Sequence, residues 1–174
     1  ILMGLAEMNP PLFIRKALKE DESTLASIIR ATFEEFDAPR KCTVYDDPTT
    51  DHLFDLFNRP AAELWVAVLN GLVVGCCGIY PTQGLPDKVA ELVKFYLTSS
   101  ARGNGIGKLL MNKCIHSAKE LGYEKLYLES MPQFSNAVNF YKRLGFTELD
   151  NSLGNSGHTS CSIWMMLSIK SIRI

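Results

Sequence analysis

The chain has 174 residues, of which 47% are hydrophobic and 21% are charged, a balance typical of soluble globular proteins. Its length suits one domain over residues 1–174, and a formal net charge of -1 argues against a nucleic-acid-binding surface. No apolar run approaches the length of a membrane span, and the N-terminal residues lack the pattern of a signal peptide. We therefore expect a cytoplasmic protein that binds neither nucleic acid nor membrane.

The cysteines and histidines predict neither a disulfide framework nor a metal site. The five cysteines form no C-x-x-C pair and are odd in number, which is typical of reduced thiols used as small core residues. Cys76 and Cys77 are neighbours in a strand-like run, so their side chains should point to opposite faces of a sheet. The three histidines are scattered and lack the spacing of metal ligands.

The N-terminal part of the chain predicts one strand and two helices. Residues 13–18 have the pattern of a first strand, and Asp21 is placed to cap a helix that follows it. A second helix is expected from about residue 50 to residue 58. The apolar residues of the first helix fall on one face at spacings of three and four, and they are Leu25, Ile28, Ile29, Phe33 and Phe36.

The middle of the chain predicts three strands. The runs 64–69 and 73–80 are joined by Asn70-Gly71, a dipeptide that is the strongest short signal for a β-hairpin. A turn then leads to a third strand-like run over residues 89–97.

The C-terminal part alternates between helices and strands. An amphipathic helix runs to Gly122, a strand follows over 125–131, and another helix covers about 135–144. Residues 146–149 and 161–167 are predicted to form a closing antiparallel pair. The whole order predicts an α/β fold of the α+β type, with helices on both faces of a mixed, mostly antiparallel sheet.

A glycine-rich stretch, Arg102-Gly103-Asn104-Gly105-Ile106-Gly107-Lys108, connects the third strand of the middle region to the amphipathic helix. Alternate glycines remove the Cβ atoms that would hold a ligand away from the backbone. Their amides converge at a helix N-terminus, where unpaired N–H groups and the helix dipole favour an anion. The pattern indicates a phosphate or pyrophosphate site, with a plain strand-to-helix turn, packed tightly by its glycines, as the alternative.

The spacing of the glycines narrows the kind of phosphate site. A Walker A loop needs Ser or Thr after its Lys, but Leu109 follows Lys108, and the dinucleotide spacing G-x-G-x-x-G is absent. The pattern Arg-x-x-Gly-x-Gly resembles the acyl-CoA pyrophosphate loop of the GNAT superfamily of N-acetyltransferases. The order of the predicted elements is also that of the GNAT fold, and the resemblance is sharpest from Glu91 to Phe146. It implies a single GNAT acetyltransferase domain with acetyl-CoA as cosubstrate.

The resemblance also implies which residues contact CoA. The strand segment with Phe95 and Leu97 would pair with the pantetheine arm, and the Leu97 amide could polarise the thioester carbonyl. Many members carry an Asn seven residues before the family's Tyr, where this chain has Phe134. Asn136 is a further candidate contact, although helix capping beside Ser135 is its favoured role. The pyrophosphate contacts implied are Arg102, Gly103, Asn104, Gly105, Ile106, Gly107 and Lys108.

Tyr141 is the candidate acid. Formation of an amide from a thioester needs a neutral amine, a donor to the oxyanion and a proton for the leaving thiolate. Tyr141 lies in Phe140-Tyr141-Lys142-Arg143-Leu144-Gly145-Phe146, which matches the family signature F-Y-x-x-x-G-F, and the resemblance implies that its phenol protonates the thiolate. The alternative is that Tyr141 only packs between helix and sheet, as buried aromatics often do.

Glu91 and Glu129 are the candidate bases. Glu91 lies eleven residues before Arg102, where the histone-acetylating branch of the family carries a catalytic Glu. Glu129 lies on the next strand, where alternation places it on the same face as Tyr127. A Glu in an apolar strand loses solvation, which raises its pKa towards neutrality. The alternatives are an exposed strand face, an ion pair with Lys94 or Lys125, or an ordered water as the base.

The acceptor site is less defined by sequence. The segment around the first two helices carries acidic residues that could attract a cationic amine, or that are simply solvated: Glu34, Glu35, Asp37, Asp46 and Asp47. His158 lies in a loop of flexible composition and could line the pocket or occupy a turn. The acceptor could be a small molecule or a protein.

The function expected is transfer of an acetyl group from acetyl-CoA to a primary amine, by direct attack in a ternary complex. Two alternatives stay open, a non-catalytic acyl-CoA-binding module and an acyltransferase with a different acyl donor or an O-acceptor. A homodimer is also possible, because the C-terminal strand over 161–167 is expected to offer a free edge.

Overall fold

A computed structural model of the protein describes residues 11–173. The N-terminal residues, which by sequence lack the pattern of a signal peptide, lie outside the described residues. Within that range the chain forms seven strands and four α-helices. In chain order they are β1 (Leu12–Lys16), α1 (Glu22–Glu35), α2 (Leu53–Phe57), β2 (Glu63–Leu69), β3 (Leu72–Tyr80), β4 (Val89–Leu97), α3 (Ile106–Glu120), β5 (Lys125–Ser130), α4 (Ser135–Leu144), β6 (Thr147–Leu149) and β7 (Ile163–Ser168).

The strands form one sheet in the order β1-β2-β3-β4-β5-β7-β6. Neighbouring strands are antiparallel except β4 and β5, which are parallel, so the predicted mixed and mostly antiparallel sheet is confirmed. The predicted free edge on the C-terminal strand is wrong. β7 pairs with β5 on one side and with β6 on the other, so the sheet ends at β1 and at the short strand β6.

Helices cover both faces of the sheet, as the sequence predicts. On one face α3 and α4 pack on the sheet through buried residues such as Leu110, Val138 and Tyr141. On the other face α1 and α2 pack through residues such as Ile29 and Leu53. Cys76 and Cys77 fall in different cores, which confirms their opposite directions, and all five cysteines are free thiols.

Local sequence signals determine several turns. Asn70 and Gly71 have φ of 51° and 79°, and β2 and β3 pair on either side of them, so the predicted hairpin is confirmed. The predicted cap of α1 is wrong in detail. Asp21 stands at the N-cap, but its carboxylate makes no capping hydrogen bond and instead accepts from the Leu18 amide (2.8 Å) and from the Arg15 guanidinium (2.7 and 2.9 Å).

A β-bulge in β4 and the divergence of β4 from β5 create the space for a site. The register with β3 pairs Gly78 with Val93 and then Cys76 with Tyr96, so an extra residue enters β4, and Lys94 takes a left-handed φ of 56°. β4 pairs with β5 only over residues 89–91 and 125–127. Beyond this point the two parallel strands separate, which leaves one side of residues 92–97 without a neighbouring strand.

Candidate active site

A cavity of about 450 Å³ lies where β4 and β5 separate. Its walls come from β4, the glycine loop, the end of β5, the start of α4, the end of α1 and the loop between β6 and β7. Most of the predicted site residues line it: Glu91, Phe95, Leu97, Arg102, Gly103, Gly105, Gly107, Lys108, Glu129, Asn136 and Tyr141. The fold therefore brings together residues that lie up to fifty positions apart in the sequence.

The glycine loop presents a row of backbone donors to this cavity. Gly103 and Gly105 both have φ of 78°, and Gly105 is the N-cap of α3. Within the described residues, no backbone N–H from Gly103 to Lys108 donates a hydrogen bond to a protein acceptor. Unpaired amides at a helix N-terminus bind anions, so the loop fits a pyrophosphate.

Packing explains the third glycine of the loop. A Cβ on Gly107 would lie 3.0 Å from Cζ of Phe95, whereas a Cβ on Gly103 or Gly105 would meet no atom within 4 Å. Gly107 thus allows α3 to approach β4 closely, and the two glycines before it supply the left-handed turns. The tight-packing alternative therefore applies to Gly107, and anion binding by the loop stays a prediction.

Two predicted loop contacts point away from the cavity. The Ile106 side chain is 1% exposed and belongs to the core beneath the loop, so it is not available to a ligand in the cavity. Asn104 is exposed and does not line the cavity. For these two residues the expected contact with CoA reduces to a backbone contact.

The Arg102 side chain is held by the protein itself. Its guanidinium forms a two-point ion pair with Glu35 of α1, lies 5.0 Å from the ring centroid of Phe36, and donates through Nε to the Leu97 carbonyl (3.2 Å). These contacts tie the loop to the end of β4 and to α1. Arg102 is therefore placed to position the loop, and Lys108 is the exposed cation beside the amides.

Tyr141 both packs in the core and reaches the cavity. Its ring lies 5.9 Å from that of Phe95 and 5.6 Å from that of Phe146, between centroids. The residue is 7% exposed, and burial raises the pKa of its phenol well above the usual value. The hydroxyl therefore keeps its proton at neutral pH, as a general acid must.

Glu91 is a buried carboxyl at the base of the cavity. It is 4% exposed, and burial, assisted by the charge of Glu129, raises its pKa to about 7. A hydrogen bond from the Thr82 hydroxyl and the charge of Lys94 act in the opposite direction. A group with this pKa can accept and release a proton near neutrality.

Glu129 holds a loop in place. Its carboxylate accepts hydrogen bonds from the Tyr127 hydroxyl (2.7 Å) and from the Ser156 hydroxyl, and the Leu153 amide donates to Tyr127 (2.9 Å). The predicted shared face of Tyr127 and Glu129 is confirmed by their contact. These bonds fasten the loop of residues 150–162 to β5, beside the cavity.

The acidic residues near α1 are mostly engaged within the protein. Glu34 accepts a hydrogen bond from the Tyr45 hydroxyl (2.9 Å), Glu35 pairs with Arg102, and Asp46 accepts from backbone amides. Among these, Glu35 contributes little to the attraction of a cationic amine, because Arg102 offsets its charge.

His158 lines the cavity and joins two loops. Its Nε2 lies 3.0 Å from Oδ2 of Asp47, whose other oxygen, Oδ1, accepts hydrogen bonds from the Thr49 amide and hydroxyl. Burial would raise the Asp47 pKa, but the hydrogen bonds from Thr49 and His158 outweigh it and lower the pKa to about 2. Of the two roles expected for His158, the structure supports a place in the pocket.

The structure changes the interpretation of the start of α4. Its N-cap is Phe134, without a side-chain capping hydrogen bond, so the capping role favoured for Asn136 is wrong. Phe134 instead packs edge-on against Phe33 and Phe36, with centroids 5.2 and 5.9 Å apart, and forms an aromatic wall of the cavity. Asn136 lines the cavity beside it.

Sequence reasoning missed Lys94 as a cavity residue. Lys94 is 7% exposed and lines the cavity, because the bulge in β4 breaks the alternation from which its direction would be inferred. Its left-handed backbone, unusual for a lysine, has no sequence signal that would have identified it.

Potential metal ligands meet elsewhere on the surface. Glu22, His52 and Asp55 bring ligand atoms together, and none of them lines the cavity. The Lys19 ammonium lies 3.1 Å from Glu22 and 2.6 Å from Asp55 and supplies the positive charge there.

Among residues 11–173, no helix combines the length and apolar character needed to cross a membrane.

Comparison with known proteins places the chain in a family. The model of the Acetyltransferase (GNAT) family matches residues 25–146, so the chain belongs to the GNAT family of acetyltransferases. An uncharacterized N-acetyltransferase of Escherichia coli (strain K12), YjgM, is 33% identical over 165 residues, covering 94% of this chain and 97% of that protein. The resemblance inferred from sequence is thereby confirmed.

Solved structures share the fold. A GNAT-family acetyltransferase from Staphylococcus aureus Mu50 superposes with a TM-score of 0.81 at 22% identity, covering 91% of this chain and 99% of that chain. The yncA protein from Salmonella typhimurium, a putative acetyltransferase solved with its cofactor acetyl-CoA, has a TM-score of 0.73 at 16% identity, with coverage of 95% and 98%. The predicted fold class agrees with both.

Proposed function

We propose that this acetyltransferase passes the acetyl group of acetyl-CoA directly to a primary amine, with both substrates bound in a ternary complex. The observation that carries the proposal is the cavity between β4 and β5. It is lined by the glycine loop, by a protonated phenol and by a carboxyl whose pKa is about 7. These are the groups needed to bind CoA and to move protons during amide formation.

The loop and the exposed side of β4 would hold the donor. The amides from Gly103 to Lys108 would bind the pyrophosphate. The Thr98 N–H donates a hydrogen bond to the Val74 carbonyl of β3. Because successive N–H groups along a strand point to opposite sides, the Leu97 N–H points away from β3, towards the gap beside β4. That N–H supports two roles, pairing with the pantetheine arm and donating to the thioester carbonyl.

Two side chains, Glu91 and Tyr141, transfer the protons in the proposed reaction. Glu91 takes a proton from the ammonium of the acceptor, so the neutral nitrogen can attack the thioester carbonyl carbon. The Leu97 amide donates to the oxygen that becomes negative. As the C–S bond breaks, Tyr141 gives its proton to the thiolate. The nitrogen loses its second proton as the amide product forms, and that proton restores the Tyr141 phenol.

Direct transfer is favoured over an acetyl-cysteine intermediate by the state of the cysteine in the cavity. Cys161 lines the cavity, but burial raises the pKa of its thiol to about 12. A thiol with that pKa is almost entirely protonated at neutral pH and is a poor nucleophile.

Initial-rate kinetics with both substrates varied test the proposal. Direct transfer predicts intersecting double-reciprocal lines, and Cys161→Ala should keep most of the turnover. Parallel lines together with an acetylated enzyme detected by mass spectrometry would overturn direct transfer. Binding of acetyl-CoA without release of thiol in the presence of any amine would favour a non-catalytic binding module.

A further inference from the structure

Lys94 brings an amine into the cavity without a hydrogen-bonding partner. The side chain is 7% exposed and lines the cavity. Within residues 11–173, its ammonium makes no hydrogen bond and no ion pair shorter than 4.0 Å. Because no enclosed side-chain nitrogen among these residues lacks a partner, Nζ of Lys94 must be reachable from the cavity.

The acidic groups near Lys94 are committed to other donors. Asp47 is hydrogen-bonded to Thr49 and His158, and Glu91 accepts a hydrogen bond from the Thr82 hydroxyl. Burial lowers the pKa of Lys94, while the charges of Asp47 and Glu91 act against that decrease from beyond ion-pair distance. An amine desolvated in this way gains most from an anion that enters the cavity and contacts it.

Lys94 and Glu91 stand three positions apart on the same strand. Glu91 is the proposed proton acceptor for the amine, so the amine of the acceptor lies near it. We infer that the acceptor is an amino acid, whose carboxylate binds the Lys94 ammonium while its amine is presented to Glu91. This inference rests on the proposed function, and it narrows the acceptor from any primary amine to a zwitterion.

The bulge explains how the chain offers this contact. In a regular strand the side chains of Lys94 and Phe95 would point to opposite faces of the sheet, and Lys94 would pair with a residue of β3. The extra residue and the φ of 56° break this pattern and redirect the Lys94 side chain. A left-handed backbone at a non-glycine residue is strained, and such strain persists where the surrounding structure enforces it, often at ligand sites.

Matched acceptor pairs test the inference. Each pair consists of an L-amino acid and the primary amine that lacks only its carboxylate, for example L-phenylalanine with phenethylamine and L-leucine with isoamylamine. The readout is kcat/KM from thiol release at saturating acetyl-CoA. We expect the wild-type enzyme to prefer the amino acid of its best pair by roughly tenfold or more, the range of a charge-assisted hydrogen bond.

The variant Lys94→Met should bring the ratio between the two acceptors of a pair close to one, mainly through KM of the amino acid, and Lys94→Arg should retain part of the preference. If Lys94 acted as the base, both acceptors would lose rate together and the ratio would not change. That result, or a wild-type preference for the amine without the carboxylate, overturns the inference.

Binding gives a second readout that does not need turnover. With CoA present, the preferred L-amino acid should raise the Tm of the wild-type protein and not that of Lys94→Met, while CoA alone raises both. Thiol release with amines but no effect of Lys94 overturns only the carboxylate contact. Absence of thiol release with every acceptor overturns the proposed function, and a Tm increase by amino acids would then still support the contact.

Discussion

Arg102 and Glu35 are joined by an ion pair of two parallel contacts, each 2.8 Å long, between the glycine loop and the end of α1. The planar guanidinium therefore fixes the direction in which the loop leaves β4. It also means that the arginine of the family motif is engaged within the protein, which leaves the backbone amides of the loop as the proposed contacts for the anion.

Removal of this pair should weaken CoA binding more than it weakens the fold. In Glu35→Gln the loop loses its ion pair with α1, so we expect a several-fold higher Kd for CoA, measured by calorimetry. The pair is partly exposed, so the effect on unfolding should be small. Glu148→Gln is a matched control, because it breaks the exposed pair with Lys142 outside the cavity. Equal Kd values for the two variants would contradict the positioning role of Arg102.

The rate should depend on pH through Glu91. Because its pKa is about 7, kcat/KM for the acceptor should fall as the pH drops below that value. Glu91→Gln should lower kcat/KM by about 10²-fold or more at pH 8 and flatten the acidic limb. Glu129→Gln is the comparison variant, since its carboxylate binds Tyr127 and Ser156, and it should keep the acidic limb. An unchanged acidic limb in Glu91→Gln would exclude Glu91 as the base.

The same residue should make stability depend on pH. The Glu91 pKa is raised from 4.5 to about 7 by folding, so the folded state binds its proton more tightly than the unfolded state. This contribution stabilises the fold fully below pH 4.5 and is lost as pH rises through 7, a change on the order of 3 kcal/mol. Urea unfolding at pH 5 and pH 8 measures it. Glu91→Gln should lose less stability than the wild type between these values, and identical losses would contradict the raised pKa.

Tyr141→Phe should separate chemistry from binding. The ring stays in its aromatic cluster, but the proton for the leaving thiolate is removed, so we expect kcat to fall by about 10²-fold with the Kd of CoA nearly unchanged. Tyr123→Phe is a suitable control, because it removes a hydroxyl bonded to the Ala61 carbonyl outside the cavity. Equal turnover of Tyr141→Phe and the control would leave Tyr141 with a packing role alone.

Local patterns were sufficient to predict most of the fold. The hairpin at Asn70-Gly71, the glycine loop before α3 and the alternation of Tyr127 and Glu129 each depend on neighbouring residues, and each agrees with the structure. The place of β7 between β5 and β6 could not be predicted in this way. It depends on pairing between distant strands, on which a single strand's pattern carries no information.

The site shows the same division between local and distant effects. Tyr141 was found because its signature is contiguous in sequence. The pairing of Arg102 with Glu35 and of His158 with Asp47 joins residues far apart in the chain, and neither side chain shows its partner by spacing. Lys94 was missed because one inserted residue in β4 changes the direction of the side chain without changing the composition of the strand.

The most direct test of acetyl transfer to an amine in this cavity is thiol release from acetyl-CoA with a panel of primary amines, for the wild type and Tyr141→Phe side by side. We expect release that depends on the amine, an equal amount of N-acetylated product by mass spectrometry, and a large loss of kcat in the variant. A wild-type protein that is stabilised by acetyl-CoA but releases no thiol with any amine would contradict it.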